Sequence, residues 1–153
     1  MAELDQIDTK ILRELQGNAD IANADLAAKI GLSPSACLRR VAKLRDTGVI
    51  RKTVAVIDPA QIGRPLGAVI NLEFHRHGNQ YRQDFIRKAR ALDAVRQCYV
   101  VTGEVTGVMV LQMRDMAEYT ALCEALFDID DNIVWYRTYI VTEVLKNEPG
   151  VAI

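Results

Sequence analysis

Near the start of the chain, apolar side chains recur every three to four positions as Leu4, Ile7, Ile11, Leu12 and Leu15. That spacing lines one face of a helix and predicts one over about residues 5–16. Asp5 is placed to cap its start, and Asp8, three residues on, is favourable beside the positive helix end. A second, shorter helix is expected from about Asn23, another capping residue type, with Leu26, Ala27 and Ile30 as its stripe and Gly31 as its stop. Ser33 and Pro34 then supply an N-cap and an N1 proline. The third helix that follows carries Cys37, Leu38, Val41 and Leu44 on its expected buried side and ends near Gly48. Three helices with a tight glycine-containing turn between the last two make the plan of a helix-turn-helix. Val49 to Ile57 is rich in β-branched residues, which predicts a strand or wing ended by Asp58-Pro59.

The second half alternates with period two before it turns helical again. Ala68, Ile70, Leu72 and Phe74 share one strand face, while Asn71, Glu73 and His75 share the other. Tyr81, Phe85, Ala89 and Leu92 fit a helix stripe. Val95 to Thr102 and Val105 to Met113 read as strands around Gly103-Glu104. Asp115 caps a helix carrying Met116, Tyr119, Cys123 and Leu126, and Ile133 to Val144 reads as a final strand. The order β-α-β-β-α-β defines a ferredoxin-like unit, with both helices on one face of a four-stranded antiparallel sheet. The fold class is therefore α+β. A winged helix-turn-helix over residues 1–58 and a linker over 59–65 lead into a ferredoxin-like domain over 66–153. The uncovered sheet face is expected to carry Val69, Val108, Val110, Val134 or their neighbours. It is too apolar to face water, so self-association is the economical expectation.

Composition narrows the function. With 50% hydrophobic and 25% charged residues in 153, the chain belongs with ordinary globular proteins rather than disordered ones. Its longest apolar runs fall far short of the roughly 20 residues that cross a bilayer. The start, with Ala2, Glu3 and Asp5, lacks a basic then apolar leader, so the expected location is the cytoplasm with no membrane partner. Cys37, Cys98 and Cys123 stand far apart without a CxxC pair, which suggests small buried hydrophobes rather than a disulfide framework or a zinc site.

Charge is unevenly distributed. The net charge is −1, yet Lys29 to Lys52 holds Lys29, Arg39, Arg40, Lys43, Arg45, Arg51 and Lys52 against the single acid Asp46. The core positions of the third helix leave Ser35, Ala36, Arg39, Arg40 and Lys43 pointing away from the domain. Such a face suits the major groove, where Arg recognises guanine edges and short Ser or Ala side chains allow close approach. With Ser33 at the helix start, these are the expected contacts to double-stranded DNA, and Arg51 and Lys52 are expected to touch phosphates.

Other chemistry finds little support. His75 and His77 are spaced for a shared face but lack a third ligand, so no metal is expected. Residues 103–107, Gly-Glu-Val-Thr-Gly, join two strands and lack the Lys and Ser/Thr of a phosphate loop. No serine, cysteine or carboxylate is set beside a histidine for catalysis, so neither an enzyme nor a cofactor is expected.

The run LDQIDTKILRELQGNADIANADLAAKIGLSPSACLRRVAKLRDTGVI closely resembles the winged helix-turn-helix of the leucine-responsive and asparagine-synthetase regulator (Lrp/AsnC) family. The likeness continues through CYVVTGE, RDMAEY and TYIVTEVLK. It implies a transcription regulator of amino-acid metabolism genes whose second domain binds an amino acid or related effector, and whose dimers commonly assemble into octamers. It also implies an effector site near the loop between the second and third strands, which points here to Tyr99, Gly103, Glu104, Thr106, Gly107 and Thr138. The family loop usually reads Gly, an acid, any residue, Asp and an aromatic, whereas this chain has Thr106 and Gly107 at the last two positions. Thr106 offers a hydroxyl where an aspartate would hold an ammonium group. Gly107 predicts a roomier, less acidic pocket near Thr106 and Thr138, unless Tyr99 or Tyr136 refills it. An architectural DNA-binding protein without a ligand is the alternative.

Overall fold

A computed structural model of the chain describes residues 3–76, 78–128 and 130–153. The chain divides into two compact units, Met1–Val56 with Lys146–Ile153, and Ile57–Leu145.

In the first unit, α1 (Gln6–Gly17), α2 (Asn23–Ile30) and α3 (Pro34–Asp46) close on a core of Ile11, Leu26, Ala27, Cys37, Val41 and Leu44. The Asp5 carboxylate accepts from the Asp8 amide at 2.7 Å, and Asp8 reaches back to the Asp5 amide, a reciprocal capping box. Gly31 ends α2 at φ 74°, a left-handed conformation that costs glycine nothing. The cap of α2 differs from the expectation: Ala22 holds that position without a side-chain bond. The Asn23 amide instead donates to the Pro34 carbonyl at 2.9 Å, tying the start of α2 to the start of α3.

Lys146–Ile153 belongs with this helical unit rather than with the sheet, where the expected boundaries put it. On α1, Gln16 grips the Val151 backbone with both ends of its amide: Nε2 donates to the Val151 carbonyl at 3.0 Å and Oε1 accepts from its N–H at 2.7 Å. Arg13 Nε donates to the Ile153 carbonyl at 2.7 Å. Gly150 (φ 132°) permits this approach, since an added Cβ would lie 2.6 Å from Gln16 Oε1.

The second unit contains β1 (Leu66–Phe74), α4 (Asn79–Ala91), β2 (Val95–Val100), β3 (Gly107–Met113), α5 (Met116–Cys123) continued by a π-helical turn over Glu124–Asp128, and β4 (Ile133–Ile140). The sheet is antiparallel in the order β2-β3-β1-β4. Ala68, Ile70, Leu72, Phe74, Met109, Leu111 and Met113 are buried against Phe85, Ala89, Leu122, Leu126 and Phe127 from the helical side. Val69, Asn71 and Glu73 turn to the other face with Val108 and Val110, and opposite them on β4 stand Tyr139, Arg137 and Trp135.

Three expectations change here. β4 ends at Ile140 rather than Val144, because β1 begins at Leu66: the Val141 amide still donates to the Gly67 carbonyl at 2.9 Å, and little of β1 remains to receive the residues beyond it. Residues 59–65 are built into the sheet unit rather than free: the Arg64 guanidinium donates to the Gln112 carbonyl at 3.2 Å and pairs with Glu118 at 3.1 Å. The Arg114 amide and guanidinium also bind Glu118, and together these donors hold its carboxyl below the usual range. Cys98 is exposed, not buried, because β2 is an edge strand; Cys37 and Cys123 are buried.

Candidate nucleic-acid interface and ligand loop

The geometry of α3 follows from its three core positions. Cys37, Val41 and Leu44 fall at i, i+4 and i+7, so the stripe of Ser35, Arg39 and Ala42 faces directly away and is exposed. Ser33 Oγ accepts from the Ala36 amide at 3.3 Å and lies 3.2 Å from Ser35 Oγ; its hydroxyl therefore serves first as the helix cap. Lys43 flanks the stripe. Leu38 departs from the expectation of a core residue. It lies about 100° round the helix from Cys37 and is 59% exposed.

Arg40 departs from the outward placement expected of it. Its guanidinium does not face outward with Arg39 but pairs with Asp5 at 2.7 Å and with the buried Asp8 at 2.8 Å. The Asp8 backbone amide first, and Arg40 second, hold the Asp5 carboxyl below its ordinary range, and the two carboxylates raise the Arg40 guanidinium in return. Arg40 thus ties α3 to the capped start of α1. Lys29 is likewise engaged within the unit, with Glu14 at 2.8 Å. Arg39, Lys43, Arg45, Arg51 and Lys52 are exposed and make no ion pair among the described residues.

The expected strand over Val49 to Ile57 does not form. Val49 and Ile50 close the helical core, and Arg51 to Asp58 is neither helix nor strand, with Val54, Val56 and Ile57 exposed. β-branched residues favour a strand only where a neighbouring strand receives their backbone groups, and among the described residues this segment has none.

The six residues expected around an effector are not brought together in one chain. β2 and β4 are opposite edges of the sheet, with β3 and β1 between them, so Thr138 is not on a strand adjacent to the loop. Tyr99, opposite Val108, lies on the open face. Thr138, opposite Ile70, lies on the helix-covered face, where its hydroxyl is 2.8 Å from the Tyr119 hydroxyl. Close by, burial pushes the Tyr136 phenol up to about 12, so it is neutral at physiological pH. Gly103 and Glu104 are exposed at the loop tip.

Thr106 is spent inside the fold. Its hydroxyl accepts from the Phe74 amide at 2.8 Å and donates to the Leu72 carbonyl, and its own amide donates to that carbonyl at 3.1 Å. The roomier pocket expected at Gly107 is absent from the described residues. Leu72 occupies the space, and a Cβ added at Gly107 would stand 2.7 Å from Leu72 Cδ1. The refill comes from β1 rather than from Tyr99 or Tyr136. Glycine is therefore needed here for close strand packing.

At the same end of the sheet, where β1 runs into α4 and β4 begins, lies an open cleft of about 390 Å³. His75, Arg76, Lys88, Asp84, Asp130 and Asp131 line it, and both charge signs are represented. Asn132 shapes its floor, accepting from the Arg76 amide at 2.8 Å and donating to the Tyr81 carbonyl at 3.1 Å. His77, the other half of the expected pair, lies outside the described residues. Among the described residues no group of His, Cys, Asp or Glu is arranged to hold a metal, and no helix is long and apolar enough to cross a membrane.

A capped three-helix unit with a basic outward helix face, followed by a four-stranded sheet with helices on one side, defines a helix-turn-helix protein carrying a ferredoxin-like domain. Comparisons agree with that class. Residues 4–51 match the family described as winged helix-turn-helix DNA-binding, and residues 67–151 match the Lrp/AsnC ligand binding domain. The leucine-responsive regulatory protein of Haemophilus influenzae is 36% identical over 94% of this chain and 86% of its own length. That of Escherichia coli K12 is 30% identical over 99% and 92%. Among solved structures, an AsnC family transcriptional regulator from Agrobacterium tumefaciens superposes with a TM-score of 0.90 at 28% identity, covering 97% of each chain. A Neisseria meningitidis transcriptional regulator in complex with L-Met gives 0.91 at 28%, covering 98% of this chain and 97% of the other. The chain belongs to the Lrp/AsnC family of DNA-binding transcription regulators.

Proposed function

We propose that this chain regulates genes of amino-acid metabolism by binding operator DNA through the outward face of α3, under the control of an amino acid. The exposed basic stripe of α3 carries the reading: Arg39 projects from a helix whose core side is fully satisfied, with the short Ser35 and Ala42 on either side to admit a base edge. Lys43, Arg51 and Lys52 supply phosphate contacts, which add affinity without sequence information. The Neisseria relative's L-Met makes a free amino acid the effector class to test first.

We further propose that subunits pair through the open sheet face. Val69, Val108, Val110, Trp135 and Tyr139 form its apolar surface, and dimers assemble beyond that, octamers being the expected end point. Light scattering at micromolar concentration tests this, and a clean 17 kDa species overturns it.

One observation favours a second reading, an architectural protein without an effector: Thr106 and Gly107 are both used up by β1. A thermal-shift screen of the twenty amino acids separates the two, since a ligand that binds only the native state raises stability by RT ln(1 + [L]/Kd). DNA binding is followed in parallel. A shift for one amino acid, coupled to a change in DNA affinity, supports the regulator; no shift for any supports the architectural reading.

A further inference from the structure

Resting on the DNA-binding reading of α3, we propose that Leu38 is a specificity residue that reads the C5 methyl group of a thymine in each operator half-site.

Leu38 is 59% exposed although the first unit has a complete core in Ile11, Leu26, Ala27, Cys37, Val41 and Leu44. A lone exposed leucine is ordinary on a protein surface. This one differs by its position. It is the single large apolar side chain exposed on α3, it sits in the second turn of the helix, and it directly precedes Arg39. The N-terminal half of a recognition helix is the part that reaches base edges in the major groove.

The neighbours of Leu38 along its flank are Ser35 and Ala42, both short and both exposed, so its isobutyl group stands above a shallow surround. Arg40, about 200° round the helix from Leu38 and beyond the far side of the outward stripe, is held by Asp5 and Asp8 and does not compete for the groove. The major-groove edge of a base pair presents one apolar feature, the thymine methyl. Leu38 has no donor or acceptor, so it can discriminate only by that feature. Arg39 is suited to guanine O6 and N7. Together the two predict a half-site in which a guanine and a thymine lie close to one another.

The test uses the full chain and a duplex selected by it from a random pool. Each thymine of the selected duplex is replaced in turn by uracil, which differs only in lacking the methyl group, and affinity is measured by titration. The expected result is one thymine per half-site whose replacement weakens binding about fourfold, the worth of one methyl group removed from water. In Leu38→Ala that loss disappears, while Leu38→Met retains it. Thermal unfolding of Leu38→Ala is expected to match the unaltered protein, and a large fall in Tm would mark Leu38 as a core residue and overturn the proposal. So would a uracil scan with no sensitive position, or a sensitivity that survives intact in Leu38→Ala. A pool that fails to enrich any sequence overturns sequence-specific recognition by α3 itself, a failure separate from the others.

Discussion

The third helix and the loop between β2 and β3 both carry residues that the sequence marks as functional, and the structure treats them in opposite ways. On α3 three residues, Cys37, Val41 and Leu44, satisfy the core, and the opposite stripe is left free for a partner. In the loop the residues expected to face a ligand are turned inward: Thr106 bonds to both Phe74 and Leu72, and Gly107 is covered by Leu72. A helix has room to divide its faces between fold and function. A short loop at a sheet end must first satisfy its own backbone, and here it enlists the candidate side chains to do so.

The sharpest way to break that contrast is to compare two adjacent arginines. Arg39→Ala should weaken operator binding by about 1–3 kcal/mol through the loss of its hydrogen bonds to a base, roughly 5- to 150-fold, with Tm unchanged. Arg40→Ala should instead lower Tm, because it leaves the buried Asp8 without its cation. Equal behaviour of the two in DNA titration and thermal unfolding would erase the distinction. In the loop, Gly107→Ala should destabilise by about 1–3 kcal/mol through overpacking against Leu72. Denaturant unfolding measures this, and a neutral result would mean that space for a ligand does exist at that point. Thr106→Val keeps the shape but leaves the Phe74 amide unpartnered, for an expected loss of about 1–3 kcal/mol. A smaller loss would leave the hydroxyl among the groups free to meet a ligand.

The smallest effect is on acid stability. The Asp5 carboxyl is held low in the folded state, so its contribution is present above the ordinary carboxylate range near pH 4 and is lost as pH falls through the depressed value. Acid unfolding of Arg40→Ala, followed by circular dichroism, should therefore begin at higher pH than in the unaltered protein.

The helices of the first unit are readable because cap, stripe and stop agree with one another. Asp5, Ser33 with Pro34, and Gly31 all stand where the structure uses them. Leu38 and Arg40 are not readable by the same means. Periodicity finds a face but not its centre, and moving the centre from between Cys37 and Leu38 onto Cys37 exposes the leucine and swings Arg40 toward α1. In the second unit, alternation identifies the core face of β1 without error. The placement of Thr138 beside the loop fails because alternation along one strand says nothing of which strands are neighbours, and β1 lies between β3 and β4. Cys98 fails for a related reason, since an edge strand exposes side chains that a central strand would bury. The hold of Gln16 and Arg13 on Val151 and Ile153 joins residues far apart in the chain, mostly through backbone groups that every residue type possesses. No sequence pattern marks it.

That hold has a consequence in time. Chains emerge from the ribosome at about 5–20 residues per second, and domains fold as units in the order they emerge. The three helices can close on their core once Val56 is out, while Lys146–Ile153 follows only after the whole sheet unit has been made, roughly ten seconds later at that pace. The helical unit therefore passes through a nascent form in which α1 still shows a bare Gln16 and Arg13. Only a translated sheet unit allows that surface to be closed.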